Sequence, residues 1–247
     1  PEEGEIISTI ISTLDGKIGT FERSSGDFNQ ISDSSLRLTD IAVDEAGNIF
    51  SITDSITENA LYKFNEDTGF SRINNSSLNL AFNGLEFAGN QLLGSSRNSS
   101  LIYDINPETG NFSPIADLGE NFSSSGDLEF DNATNTLFAS SFESSTDILY
   151  TLNFNPETGE IGEANKVGEI GFSEVFGLAI NDGNLYGYTS DGNEILINQE
   201  TGQASFIQGI SNLDSTISGV ASYFDNKIDN GSSFETAIDL GVGGDFS

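Results

Sequence analysis

The chain has 247 residues, with 8 Lys and Arg against 39 Asp and Glu for a formal charge of −31, and it contains no Cys, His, Met or Trp. The missing residue types exclude a Ser-His-Asp triad, a Cys-His nucleophile, an imidazole base, a disulfide, haem ligation and the usual structural zinc site. The charge excludes nucleic acid and anionic membrane surfaces as partners, because both need clustered Lys and Arg, and it favours hard cations such as Ca²⁺.

No apolar run approaches the roughly 18–20 residues that span a bilayer, so no membrane insertion is expected, and no signal peptide is read in the sequence given. The first residue is Pro1 rather than Met, which reads as a processed product or an excised fragment. With 36% hydrophobic residues, 27 Gly and 4 Pro, the chain suits short strands joined by tight turns, and long helices are not expected.

In chain order, residues 10–13, 18–22 and 28–31 read as three strands with turns between them. A four-strand unit then follows and returns. Its first strand is an apolar alternation at 39–43, 83–87, 126–130, 176–180 and 218–222. Aligning Ile41, Leu85, Leu128, Leu178 and Val220 gives spacings of 44, 43, 50 and 42 residues. A second strand reads 47–51, 90–94, 135–139 and 183–187, and a third reads 60–64, 101–105, 148–152 and 194–198.

A turn of nearly fixed wording comes next: Asn65-Glu66-Asp67-Thr68-Gly69, Asn106-Pro107-Glu108-Thr109-Gly110, Asn155-Pro156-Glu157-Thr158-Gly159 and Asn198-Gln199-Glu200-Thr201-Gly202. Asn opens such a turn by bonding its own backbone, Pro presets φ, and Gly accepts positive φ before the next strand. Fourth strands follow, as at 112–115 and 204–207. Four short strands at a period of about 45 predict an all-β, five-bladed β-propeller with four-stranded blades. The three N-terminal strands match the second to fourth strands of a unit. The last inner strand, 219–224, supplies the first. The ring is therefore closed by the N- and C-terminal strands, over residues 1–226.

Residues 227–247 leave the pattern as a linker and tail. Phe234-Glu235-Thr236-Ala237-Ile238-Asp239-Leu240-Gly241 resembles the opening strand of bacterial pre-peptidase C-terminal domains, which implies an exported, multidomain parent. The repeated Gly-Asn-Leu-Tyr and Asn-Pro-Glu-Thr-Gly wording resembles the blade consensus of bacterial propellers of the WD40-like group. That resemblance implies a fold rather than a function.

Inner strands crowd a propeller axis, which favours Gly84, Gly177 and Gly219, and likewise Ala42, Ala179 and Ala221. Asp40 and Asp127 replace Gly in that pattern, and Glu86 and Glu129 replace Ala. Crowded carboxylates demand a counterion, so a channel Ca²⁺ held by some of Asp40, Glu86, Asp127 and Glu129 with backbone carbonyls is expected. Asp182-Gly183-Asn184 and Ser190-Asp191-Gly192-Asn193 read as β-turns. Glu108, Glu157 and Glu200 read as solvated rim residues, and Tyr62, Tyr103, Tyr150 and Phe138 as core between blades.

Two functions fit. The first is a non-catalytic, secreted or cell-surface bacterial propeller for extracellular binding or adhesion, monomeric. It takes a protein or glycan through the polar loops at 54–59, 95–100 and 142–147. The second is a carboxylate-dependent hydrolase acting on carbohydrate, with Asp40, Asp127 and Glu129 as acids and Arg37 or Arg97 holding substrate.

Overall fold

A computed structural model describes residues 7–53, 59–73, 80–143 and 145–224. Its strands form five separate four-stranded antiparallel sheets. The first blade holds β4 (Leu38–Val43), β5 (Ile49–Thr53), β6 (Leu61–Asn65) and β7 (Gly69–Arg72), and the second holds β8 (Phe82–Ala88), β9 (Gln91–Ser96), β10 (Leu101–Ile105) and β11 (Phe112–Asp117). The third blade holds β12 (Ser124–Asp131), β13 (Thr136–Phe142), β14 (Asp147–Asn155) and β15 (Glu160–Glu169). The fourth holds β16 (Val175–Asn181), β17 (Asn184–Thr189), β18 (Asn193–Ile197) and β19 (Ala204–Gly209). The closing blade pairs β20 (Ile217–Phe224) with β1 (Ile7–Thr13), β2 (Lys17–Glu22) and β3 (Asp27–Asp33). Both ends of the propeller therefore lie in one sheet, with Ile10 opposite Ala221 and Ile11 opposite Val220. The expected five-bladed ring and its closure are both found.

The repeated turn forms as its wording requires. In all four copies the Asn side chain accepts the backbone N–H groups two and three residues on, at 2.9–3.2 Å. The turn glycines hold φ between 69° and 79°, where a side chain is strained. The 50-residue spacing of the third blade is absorbed by its outer hairpin, whose strands run to 9 and 10 residues and carry two register shifts.

The core lies between the blades. Five buried apolar clusters each join two consecutive sheets. Phe50 and Ile52 meet Phe82 and Leu85, and Phe138 and Leu149 meet Val175 and Leu178. Ile10 and Tyr223 meet Ile41 and Ile49 in another. Tyr103, Tyr150 and Phe138 lie in these interfaces as expected, whereas Tyr62 is only half-buried. Residues 54–58, 144 and everything from 225 on lie outside the described residues, which include parts of two expected contact loops and the whole tail.

Candidate functional site

The inner strand of each blade has a free edge, so its outward N–H groups face the channel and need acceptors. Asp40 and Asp127 supply them. Asp40 accepts from Ile41 N–H at 2.8 Å and from Leu85 N–H of the next blade at 2.5 Å. Asp127 repeats the pattern with Leu128 at 2.6 Å and Leu178 at 2.5 Å. Two carboxyls thus serve four of the five equivalent N–H groups.

Glu86 and Glu129 form a second tier one turn of the pleat further along. Glu86 accepts from Phe130 N–H at 3.2 Å, and Glu129 accepts from Ile180 N–H at 2.6 Å and Ser222 O–H at 2.7 Å. The closeness explains the glycines between them. A Cβ on Gly219 would fall 2.0 Å from Asp40 Oδ1.

These four carboxyls are buried, Asp40 and Asp127 completely. Burial raises the pKa of Asp40, Glu86 and Asp127 well above the usual carboxylate range, and neighbouring carboxylates push Glu86 and Asp127 further. Burial lifts Glu129 to about 8 against the pull of its hydrogen bonds to Ser222 and Ile180. Asp40 and Asp127 also influence each other's ionisation, so the two carboxyls titrate as a pair and not independently.

The positive partners that the sequence demands are therefore supplied in part by backbone N–H groups and retained protons. The four residues line the wall in pairs. Among the described residues, no three acidic side chains gather at metal-ligating spacing. One channel oxygen, Glu129 Oε2, is buried without a hydrogen-bond partner.

The two ends of the channel differ in charge. All five inner strands run the same way along the axis, so their C-terminal ends meet at one mouth. That lower vestibule, about 440 Å³, is lined by Asp44, Glu45, Glu86, Asp131 and Asp182 among others. The opposite, upper mouth is about 240 Å³ and, among the described residues, holds no carboxylate in its wall. It contains Arg37, from the β3–β4 connection, and Arg97, from the β9–β10 loop. Two of the eight cations of a very acidic chain therefore stand at one opening.

The upper mouth is built by a repeated irregularity. In four blades the pairing of the inner strand with its neighbour slips by one residue near the entrance, at Thr39, Asn83, Phe176 and Ser218, and in the third it slips by two between Ser124 and Leu128, around Gly126. Such bulges re-aim side chains, and all five of these residues line the mouth. They are the residues immediately before Asp40, Gly84, Asp127, Gly177 and Gly219. Phe176 is half-buried and packs over Gly126. Asn83 is 6% exposed and donates to Ser124 O at 2.9 Å, while its Oδ1 has no partner. Thr39 Oγ1 donates to the carbonyls of Ile52 and Phe82, each at 3.3 Å. Ser125 Oγ donates to Asp147 Oδ2 at 2.6 Å.

The remaining expected residues fall as follows. Glu108, Glu157 and Glu200 are exposed on the rim. Asp182-Gly183 and Asp191-Gly192 form turns with positive φ at Asp182, Gly183 and Gly192. The Arg23–Glu194 pair and the bulged residues at the mouth were not singled out by sequence. The bulges left one trace. The residue opening each repeated pentapeptide is Thr, Asn, Gly, Phe or Ser, which is variation where the following positions hold to type.

No protein-family model matches the chain, and no curated protein matches it. Solved structures do. One, from a nidogen/laminin complex, superposes with a TM-score of 0.61 at 13% identity, covering 88% of this chain and 82% of that one. A gluconolactonase from Xanthomonas campestris gives 0.59 at 13% identity, covering 86% and 74%. An auxiliary nutrient binding protein from Bacteroides thetaiotaomicron gives 0.57 at 10% identity, covering 87% and 60%. At these identities the likeness is one of fold. Fold and strand order define the molecule as a five-bladed β-propeller. Its resemblance to the WD40-like group rests on the blade wording alone.

Proposed function

We propose that this chain is a non-catalytic binding propeller of the bacterial cell surface or exterior, taking a protein or glycan ligand over its upper mouth. The observation that carries the reading is the register irregularity at the entrance of every blade, which brings residues of all five inner strands to a single opening beside two arginines. A second feature agrees with it. The channel carboxylates a hydrolase would use are buried, and most of their oxygens already accept N–H or O–H groups. Structural neighbours described as a nidogen/laminin complex and a nutrient binding protein support a binding role by analogy of fold.

The test pairs a glycan array and a protein pull-down with a turnover assay on a panel of polysaccharides. Binding weakened at least tenfold by Arg97→Glu, with no product released from any polysaccharide, is the expected result. Hydrolysis that disappears in Asp40→Asn and Asp127→Asn would instead establish the carbohydrate hydrolase.

A Ca²⁺ ion in the channel is a second reading, and Glu129 Oε2 favours it. That oxygen is buried with no hydrogen-bond partner, close to the carboxyls of Glu86 and Asp131, and a divalent ion there would take the place of the proton that burial otherwise retains. Backbone carbonyls or water would have to complete the six to eight oxygens that Ca²⁺ takes. Isothermal titration of chelator-treated protein decides it. Heat of binding lost in Glu129→Gln supports the ion, and no heat with either Ca²⁺ or Mg²⁺ removes it.

A further inference from the structure

The upper mouth has a definite chemistry. Neither the Arg37 nor the Arg97 guanidinium has a carboxylate partner among the described residues, although acids outnumber bases 39 to 8 in the chain. Both side chains are exposed at the opening. Each carries a fork of N–H donors that matches a planar carboxylate. A carboxylate bound here would meet no acidic side chain among the described residues of the wall.

Deeper in the mouth the polarity reverses. The hydroxyl protons of Thr39 and Ser125 are spent on Ile52 O, Phe82 O and Asp147, so these oxygens face a ligand only as acceptors. Asn83 Oδ1 is a third acceptor, 94% shielded through its residue and unpaired within the protein. A buried acceptor without a donor destabilises the site until one arrives. Phe176 adds an apolar face on the same wall. The mouth therefore asks for a molecule with a carboxylate at one end, several hydroxyl donors at the other, and a C–H surface to lie against a ring. At about 240 Å³ it is smaller than the usual 300–1,000 Å³ of drug-sized sites, which suits a single sugar unit.

We infer that the upper mouth is a binding site for an acidic sugar, a uronate unit either free or at the end of an acidic glycan. Arg37 and Arg97 hold the carboxylate, and Asn83, Thr39 and Ser125 accept from the hydroxyls. The inference rests on the binding reading above and names its ligand class.

The experiment is isothermal titration of the intact chain with D-glucuronate, D-galacturonate, a short oligogalacturonate, D-glucose, D-galactose and inorganic phosphate. Expected is binding of at least one uronate that exceeds its neutral hexose tenfold or more. Arg37→Gln and Arg97→Gln should each weaken it at least tenfold with an unchanged melting temperature, since both side chains lie outside the core. Asn83→Asp, which sets a second carboxylate against the ligand, should weaken the uronate more than the neutral hexose. Tighter binding of oligogalacturonate than of the monosaccharide assigns the chain end of a polymer, and equal binding assigns the free sugar. Three results would overturn the inference: no uronate binding, equal binding of uronate and hexose, or affinity unaffected by both arginine substitutions. A ligand found on the arrays that is neutral or proteinaceous would defeat the acidic sugar and leave the binding reading standing.

Discussion

Asp40 and Asp127 do for the channel what a fifth strand does for a sheet: they receive the N–H groups of a free edge. The cost is protonation. Glu129, lifted to about 8 by burial, holds its proton in the fold over a range where the unfolded chain has lost it. A group with a raised folded pKa stabilises most fully below its unfolded value, near 4.5, and that contribution is lost as pH rises through about 8. Asp40, Glu86 and Asp127 act in the same direction. The exposed carboxylates with lowered values, such as Asp117 and Asp214, act oppositely below about 4. The melting temperature should therefore peak near pH 5 and fall steadily towards pH 8. In Glu129→Gln that fall should be shallower, because the amide keeps an acceptor for Ile180 N–H and Ser222 O–H and cannot ionise. A melting temperature that rises from pH 5 to pH 8 would contradict this assignment.

At the scale of single elements, the hairpins were readable and the contacts between them were not. The Asn-to-Gly turn contains its own hydrogen bonds within five residues, so its wording is sufficient to build it. The inner strands announced themselves through Leu85, Leu128 and Leu178, whose alternation survives every blade. The bulges were hidden, because a register slip changes pairing without changing the spacing of apolar residues. The upper mouth was hidden with them.

The same limit applies to the clasp between the β2–β3 turn and the fourth blade, whose partners are 171 residues apart in sequence. Arg23 Nε donates to the fully buried Glu194 at 2.6 Å, its Nη2 donates to the Tyr188 hydroxyl at 3.0 Å, and its guanidinium lies 3.7 Å over the Tyr186 ring. Glu194 is held from the other side by Gln208 at 2.9 Å. Removing one partner of a buried pair strands the other, at a cost of about 3 kcal/mol. Arg23→Ala should therefore lower the melting temperature by about 6–12 °C in a thermal scan, and Arg23→Glu by more. A shift of less than 2 °C would show that the clasp contributes nothing.

Over the whole molecule, stability resides in interfaces, since each apolar cluster belongs to two sheets and no blade owns a core. Such a ring has no safe place to open. Opening it would expose the edge of β20 and the faces of two neighbours together. The period near 45 residues and the incomplete unit at each end made the closure legible before any coordinates, because β20 lacked its outer strands and β1 to β3 lacked an inner one. The presence of the channel carboxyls was legible too. Their partners were not, since free-edge N–H groups leave no mark in a sequence.

The closed ring is the claim on which the channel and both of its mouths depend. It is tested most directly by thermal unfolding of a chain lacking residues 1–33, followed by circular dichroism beside the intact protein. The account predicts that the shortened chain loses its cooperative transition altogether. A transition at the same temperature as that of the intact protein would contradict it.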